Sequence, residues 1–493
     1  MKLAELLNGI DINPAGTGRP YNQYGQVITG VAADSRKVVP GCLFICVRGL
    51  TSDGHEYIRE AAAKGAAAAL CEYLPENAPE NVVYLLTKDT RAALAVIASN
   101  FHEHPEAKLK LVGVTGTKGK TSVTYYLKSI LERAGHKTGI IGTTGAFIGD
   151  KPIDVEYQTS STPDILELYE ILGRMAGEGA EYCVMEATSH GLDQGRTDGL
   201  SFSAGIFTNL QHDHLDYHKT IDNYAGAKGL LFKQSGAAVV NFDDAYKDVV
   251  LNGCSAPVIY YGIGEMPGYF ARDIELMPNG SRFSVNMKGR ALDIRLNVPG
   301  RFSVYNALAA IAAAGELGIP GEAIIEGLKG FNGVRGRFER VENSKGFSVI
   351  IDYAHNPESL ENIITAVREI TPEGRVITVF GCGGDRDAAK RPIMGGIAGR
   401  LSDICVITSD NPRNENPDDI INQILPGVDK TGITERYAEP DRKKAIYMAL
   451  YKARPGDAVI IAGKGHELYQ EFEGRRREAF DDRAVALEAL DWL

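Results

Sequence analysis

The chain has 493 residues, 44% apolar and 24% charged, which suits about three ordinary domains with packed cores. A net charge of −11 and a pI near 5.5 argue against a general binder of nucleic acid or anionic membrane. Seven cysteines, an odd number without a C-x-x-C pair, suit a reducing compartment rather than a disulfide framework or a structural zinc module. The first residues, MKLAELLNGIDINP, do not read as a signal peptide, and no run of about eighteen apolar residues occurs. A cytoplasmic location without a membrane span is therefore expected.

Three blocks follow in chain order. The first, 1–105, holds the strand-like runs VITGVAAD and GCLFICVRG, a helix through EYIREAAAKG and a strand AAAALCE. The polar, proline-bearing FHEHPEAKLK reads as a linker. The second block, 106–331, opens on KLKLVGVTG, a strand running into a glycine turn. In the following SVTYYLKSILERAG, Val123, Tyr126, Leu127, Ile130 and Leu131 recur at the spacing of one helical face, and Gly135 ends it. Strands HKTGIIGTT, EYCVMEATS, FSAGIFTNL, AAVVNF and APVIYYG come next, with TPDILELYEILGRMAGEG as an intervening helix. SVYNALAAIAAAGELG and EAIIEGLKG close the block as helices.

The third block, 332–493, carries FSVIIDYAHNP, RVITVFGCGG, SDICVITSDNP and DAVIIAGKG, apolar strands that each end in a polar or glycine turn. Helices such as ESLENIITAVREI alternate with them, and this alternation predicts a parallel sheet covered on both faces. Ligands of such sheets bind beyond the C-terminal strand ends, so the polar turns are the candidate site.

The strongest local motif is LVGVTGTKGKTSVTYYL. A strand ends, a loop spanning Gly116, Thr117, Lys118, Gly119, Lys120, Thr121 and Ser122 follows, and a helix begins. Glycines let backbone N–H groups approach phosphate oxygens, and the helix N-terminus favours an anion. Lys120 can reach terminal phosphates and Thr121 can hold magnesium. The full P-loop spacing is missed by one position, because its first glycine would fall at Val114.

The string QHDHLDYH, 211–218, packs three histidines and two aspartates into seven residues. His212, His214 and Asp216 fit the start of a binuclear zinc pattern, but Tyr217 displaces His218 by one position. Zinc, a harder ion such as magnesium and a solvated polar loop all remain open from the string alone. A triphosphate brings magnesium, which prefers oxygen ligands. Glu186 ends the strand EYCVME and His214 follows the strand ending near Thr208, so both could stand beside Thr121.

These motifs resemble the Mur ligases, ATP-dependent amide-bond-forming enzymes of peptidoglycan precursor synthesis. TGTKGKTS is similar to the family's ATP loop, and MEATSHGL, TNLQHDHLDYH, YAGAKGLLF, GRFSVYNALAA, DYAHNP, GDRDAAKRPIM and AGKGHE follow in the family's order. Within the family, DSRKVVPGCLFICVRG with DGHEYI resembles the UDP-binding block of members that extend a UDP-N-acetylmuramoyl dipeptide. SDNPR, 409–413, resembles the type that adds meso-diaminopimelate, with a lysine-adding relative as the alternative.

The resemblance implies an α/β protein of three domains. These are an N-terminal UDP-binding domain, a central P-loop-type ATPase domain with a mostly parallel sheet, and a C-terminal Rossmann-like domain that binds the amino acid. It implies ATP contacts at the loop, with Asn306 and Arg337 near the adenine and Asp352 near the ribose. Thr121, Glu186 and His214 would help hold Mg2+. Lys228 resembles a carbamylated lysine that acts as a further metal ligand, although its position also reads as an ordinary helix-surface lysine. His355 would sit near substrate and phosphates, and Lys120, Lys228 and His355 form the expected catalytic group. Ser35 would contact uridine, and Thr159, Ser160, Ser189 and Arg196 the muramoyl peptide. Arg386, Asp410, Asn411, Pro412, Arg413, Gly463 and Glu467 would form the diaminopimelate pocket. The expected partners are these small molecules, with no nucleic acid, and a monomer is expected.

Overall fold

A computed structural model describes residues 1–14, 25–49, 52–74, 76, 78–155, 161–264 and 268–493. The chain divides into two compact units, Met1–Tyr261 with Ala309–Ala323, and Gly262–Leu308 with Ile324–Leu493.

Two sheets build the first unit. The smaller has the order Asn13–Pro14, Val83–Leu86, Ala68–Cys71, Leu43–Ile45, Val31–Ala32, and all its pairs are parallel except the one made by Asn13–Pro14. The larger runs Val258–Ile263, Ala238–Asn241, Phe202–Phe207, Lys110–Thr115, Tyr182–Glu186 and Thr138–Gly142 in parallel, then turns antiparallel through Gly145–Ile148 and Lys151–Pro152. Its central strands are buried along nearly their whole length, as the continuous apolar runs require of strands covered on both faces. The helix Lys120–Arg133 buries Val123, Tyr126, Leu127, Ile130 and Leu131, the face that the spacing predicts. Register sets Glu186 opposite Val114 and Phe207 opposite Thr115, so three strand ends meet at the phosphate loop.

In the second unit a parallel sheet runs Ser348–Asp352, Ala458–Ala462, Val376–Phe380, Ile404–Thr408, Glu435–Glu439, with Glu339–Arg340 antiparallel at one edge. Its two apolar faces are covered by helices such as Pro357–Ile370, Lys390–Leu401, Arg442–Lys452 and Asp482–Trp492. The ends at Asp352, Ala462, Phe380 and Thr408 lie side by side, and the polar turns singled out in the sequence begin there.

The sequence reading did not foresee the antiparallel strands Tyr269–Met277, Gly280–Met287 and Arg290–Leu296, nor the hairpin Tyr469–Phe472 with Arg476–Ala479. It also left out the helix Thr90–Phe101, which the Asp89 side chain caps by accepting from the N–H groups of Arg91 and Ala92. Among the described residues no helix is long and apolar enough to cross a membrane. Six of the seven cysteines are buried and Cys254 is half-buried; none is in a disulfide.

Candidate active site

The phosphate loop is held by the end of a neighbouring strand. Thr117 N–H donates to the Asn209 carbonyl at 2.8 Å, and Lys118 N–H to Asn209 Oδ1 at 2.9 Å. Thr208 Oγ1 and Asn209 Nδ2 both donate to the Lys118 carbonyl, at 2.6 and 3.1 Å. Gly116 lies at φ +146°, and a Cβ there would meet Thr208 Oγ1 at 1.9 Å. Only glycine lets the two strand ends close this far. Lys120 Nζ folds over the loop and donates to the carbonyls of Gly116 and Thr117, at 2.9 and 3.0 Å. Gly119 is the helix N-cap, and Ser122 lies in the first helical turn.

Thr121 Oγ1 donates to Glu186 Oε1 at 2.8 Å. The same oxygen accepts from Thr143 N–H at 2.9 Å, and Glu186 Oε2 accepts from Thr143 Oγ1 at 3.1 Å. Thr121 and Glu186 are both buried. A hydroxyl and a carboxylate in contact form a hard oxygen donor set that suits magnesium better than a softer ion.

His214 begins a short helix at φ +55° and belongs to an aromatic cluster, 4.8 Å from the His190 ring and 6.0 Å from Tyr224. Among the described residues it forms no hydrogen bond to Thr121 or Glu186. Its ring is half-exposed, and partial burial with the charge of Lys120 lowers its pKa from the usual histidine range, opposed by Asp213. The neutral ring is the metal-binding form. His218, beside it, is buried with Nε2 3.0 Å from Ser189 Oγ and is likewise pushed down, chiefly by burial. His218 thus helps to fix the loop.

Lys228 is 1% exposed, with Nζ 4.2 Å above the Tyr224 ring. Among the described residues its amine has no hydrogen-bond or ion-pair partner. Burial, then the like charge of Lys120, drives its pKa well below the ordinary lysine value. An ordinary surface lysine would show none of this.

Of the residues expected to meet the muramoyl peptide, Ser189 opens a short helix capped by Thr188. Arg196 donates to the Thr162 carbonyl at 2.9 Å and to Gln194 Oε1 at 2.7 Å, and forms an ion pair with Asp164. Thr159 and Ser160 lie outside the described residues. Ser35, buried in the first sheet's region, donates to Glu60 Oε2 at 3.0 Å.

In the second unit the strand ends carry a polar network. Asn411 Nδ2 donates to Glu467 Oε2 at 2.9 Å, and Glu471 N–H donates to Asn411 Oδ1 at 3.0 Å. Arg413 Nε donates to Glu471 Oε2 at 3.0 Å and its NH1 to the Gly384 carbonyl at 2.8 Å, and among the described residues the rest of the fork is unengaged. Gly463, at φ +119°, brings the backbone to Asp410, since a Cβ would meet Asp410 Oδ2 at 2.6 Å. Gln470 of the hairpin donates to the Asp410 carbonyl at 2.7 Å. Pro412 leads into Arg413, itself at φ +50°. Arg386 is exposed, and among the described residues its one hydrogen bond, to the Asp385 carbonyl, is long at 3.4 Å; the structure does not draw it into this network.

Nearby, His355 Nδ1 lies 2.8 Å from the Tyr353 carbonyl, which assigns the proton to Nδ1. The His355 ring is exposed at the surface, and partial loss of hydration with the charges of Lys390 and Arg337 lowers it from its usual range. Asp352 accepts from the N–H groups of Ala354 and Phe338, at 2.9 and 2.8 Å. The Arg337 guanidinium sits 4.8 Å over the Tyr353 ring, and Asn306 is buried in the helix Arg301–Glu316.

Buried arginines support these loops, and the sequence reading passed over them. Arg391 grips Glu415 with two bonds of 2.8 Å and also reaches the Gly383 carbonyl, so Glu415 is held below the usual carboxyl range. Arg442, fully buried, pairs with Asp482 through two bonds of 2.8 Å and reaches the carbonyls of Ser409 and Ala462. Both stand in basic runs, AAKRP and DRKKA, where nothing local separates a buried arginine from a solvated one.

Cys46, His55 and Cys71 also approach one another, and all three are buried. Both ring nitrogens of His55 are already engaged, Nδ1 with Asp53 at 2.5 Å and Nε2 accepting from Glu72 N–H at 2.9 Å. A metal there would have to break one of these bonds.

A phosphate loop on a parallel sheet, followed by a second parallel α/β unit with a polar network at its strand ends, defines a nucleotide-using ligase of the α/β class. Family comparisons give the rest: the Mur ligase family catalytic domain matches residues 27–102, the Mur ligase middle domain 114–314, and the Mur ligase glutamate ligase domain 336–465. The chain belongs to the Mur ligase family. It is 44% identical to UDP-N-acetylmuramoyl-L-alanyl-D-glutamate--2,6-diaminopimelate ligase of Clostridioides difficile (strain 630), over 99% of both chains. Identity is also 44%, again over 99% of both, to the ligase of the same name from Caldanaerobacter subterraneus subsp. tengcongensis. A solved structure of a UDP-N-acetylmuramoyl-L-alanyl-D-glutamate--2,6-diaminopimelate ligase matches with a TM-score of 0.69 at 30% identity, covering 95% of this chain and 96% of the other.

Proposed function

We propose that this chain joins meso-2,6-diaminopimelate to the γ-carboxylate of D-Glu in UDP-N-acetylmuramoyl-L-Ala-D-Glu, consuming ATP. The observation that carries the reading is one strand-end network that holds two groups: the Arg413 guanidinium, bonded to Glu471 with part of its fork unengaged among the described residues, and the Glu467 carboxylate, bonded to Asn411. A far-end carboxylate and its neighbouring ammonium need that combination, and lysine lacks the carboxylate. The full-length relatives carry the same activity in their names.

In the proposed reaction an oxygen of the D-Glu carboxylate attacks the γ-phosphorus of ATP. The P–O bond to the β-phosphate breaks, giving an acyl phosphate and ADP. The diaminopimelate amine, having lost a proton, attacks the acyl carbon, and inorganic phosphate leaves with one of the original carboxylate oxygens. Two anions must meet in the first step. Lys120 and the loop N–H groups supply positive charge to the triphosphate. Thr121, Glu186 and His214 would hold Mg2+, which when bound neutralises phosphate charge. Neutral His355, with its proton on Nδ1, offers an unprotonated Nε2 to substrate. Holding the partners in register can lower the barrier by roughly 7–11 kcal/mol.

Lys228 is proposed to be carbamylated and so to become an anionic metal ligand. Its depressed pKa favours the neutral amine, which adds carbon dioxide with formation of an N–C bond and release of a proton. A carbamate signal from 13C-labelled bicarbonate that is absent in Lys228→Arg is the expected NMR result. An identical spectrum from both proteins contradicts it.

A substrate panel tests the function itself. Phosphate release with the UDP-dipeptide is expected for diaminopimelate, and not for lysine or D-alanyl-D-alanine at equal concentration. Equal use of lysine would overturn the proposed specificity.

A further inference from the structure

Lys464 belongs to the turn AGKGHE, yet the chemistry above gives it no task. It is 0% exposed. Burying an ammonium is costly unless it is paired, and here the pairing is specific. Nζ donates to Asn411 Oδ1 at 2.9 Å and to Glu467 Oε2 at 3.0 Å.

Two consequences follow from the donor inventory. Asn411 Oδ1 receives both Lys464 and the Glu471 N–H, so its amide can take only one of its two orientations. That orientation turns Nδ2 onto Glu467 Oε2 at 2.9 Å. Glu467 Oε2 is therefore taken by two donors, while Oε1 accepts no hydrogen bond among the described residues. The Glu467 side chain keeps 19% exposure, so the unengaged oxygen belongs to a group that solvent and ligand can reach.

We infer that Lys464 is a positioning residue: it holds Glu467 by one oxygen, locks the Asn411 amide, and leaves Glu467 Oε1 for the ammonium of the incoming amino acid. The inference rests on the amino-acid-adding reading. Removing the Lys464 charge takes one of two donors from Asn411 Oδ1 and one of two from Glu467 Oε2, which loosens the amide and lets Glu467 turn its open oxygen away. Affinity for the amino acid then falls, while the phosphate loop and the nucleotide-sugar contacts keep their residues.

The test is a double-mutant cycle in KM on the full chain, using wild type, Lys464→Met, Glu467→Gln and the double variant. KM for diaminopimelate is expected to rise about 10- to 100-fold in Lys464→Met, the scale of hydrogen bonds to a charged group. KM for ATP and for the UDP-dipeptide should stay within about twofold, because uniform binding to those substrates is untouched. The double variant should match Glu467→Gln alone, since Lys464 acts through Glu467. Lys464→Gln keeps one donor, should fall between wild type and Lys464→Met, and takes its place in the cycle if that variant does not fold. Three results overturn the inference: an unchanged KM for diaminopimelate, a double variant whose loss is the product of the two single losses, or an equal rise in all three KM values with a lowered Tm. A wild type that releases no phosphate with diaminopimelate instead overturns the proposed function, and this inference with it.

Discussion

The phosphate loop of the first unit and the Asp410–Glu467 network of the second both stand at the C-terminal ends of parallel strands, and they are built in opposite ways. The loop is one unbroken run, 116–122, whose working groups are backbone N–H donors with one lysine and one hydroxyl. Its supports, Thr208 and Asn209, are small and come from the adjacent strand. The second network draws on turns at 381–386, 409–413 and 463–467 and on a hairpin at 469–479, and buried cations brace it. A site made of backbone can be encoded locally. One made of side chains from four segments needs charges placed far away in sequence.

The largest expected effect separates the two regions by stability. Arg442→Met leaves Asp482 buried without its cation and should cost about 3–5 kcal/mol of unfolding free energy, read by denaturant titration. A loss confined to activity would show that the pair does not brace the fold. In the loop, Lys120→Met should leave stability near wild type and lower kcat by about 10²–10³-fold, the scale for losing one preorganised charge donor. A large drop in Tm for that variant would erase the contrast.

The same contrast explains what was legible in the sequence. Most strands of both large sheets stand out as apolar runs, and the helix face of Val123, Tyr126, Leu127, Ile130 and Leu131 is buried as its spacing requires. The hairpin Tyr469–Phe472 with Arg476–Ala479 is short, polar and exposed on its outer strand, so no periodicity marks it, yet it supplies Glu471 to Arg413 and Gln470 to Asp410. The helix Thr90–Phe101 did carry a signal, an aspartate cap before an alanine-rich run. The histidine string did not declare its own role: only the fold separates buried His218, bonded to Ser189, from half-exposed His214. Lys464 was readable as a letter in AGKGHE but not as a buried cation, because burial is set by the strands on either side.

Smaller effects sharpen the comparison. Arg413→Ala should reduce kcat/KM for diaminopimelate by about 10²-fold or more through loss of a charge-assisted fork, with KM for ATP unmoved. An unchanged preference for diaminopimelate over lysine would remove Arg413 from the specificity argument. The smallest effect is acid sensitivity. His190 and His218 are held below the ordinary value of 6.5, first by burial. Protons then bind the unfolded chain more readily, so stability is present above pH 6.5 and declines as pH falls below it. A Tm that falls between neutral pH and mildly acidic pH, and falls less in His218→Gln, is the expected result. A Tm that rises on acidification would reverse the sign.

The account depends most on a phosphoryl group passing to a peptide carboxylate at the loop headed by Lys120. The direct measurement uses UDP-dipeptide with 18O in the D-Glu γ-carboxylate, a single turnover with ATP and diaminopimelate, and mass analysis of the released phosphate. One 18O per phosphate is predicted. Unlabelled phosphate, with the lost heavy oxygen recovered in water or in the nucleotide, would contradict it.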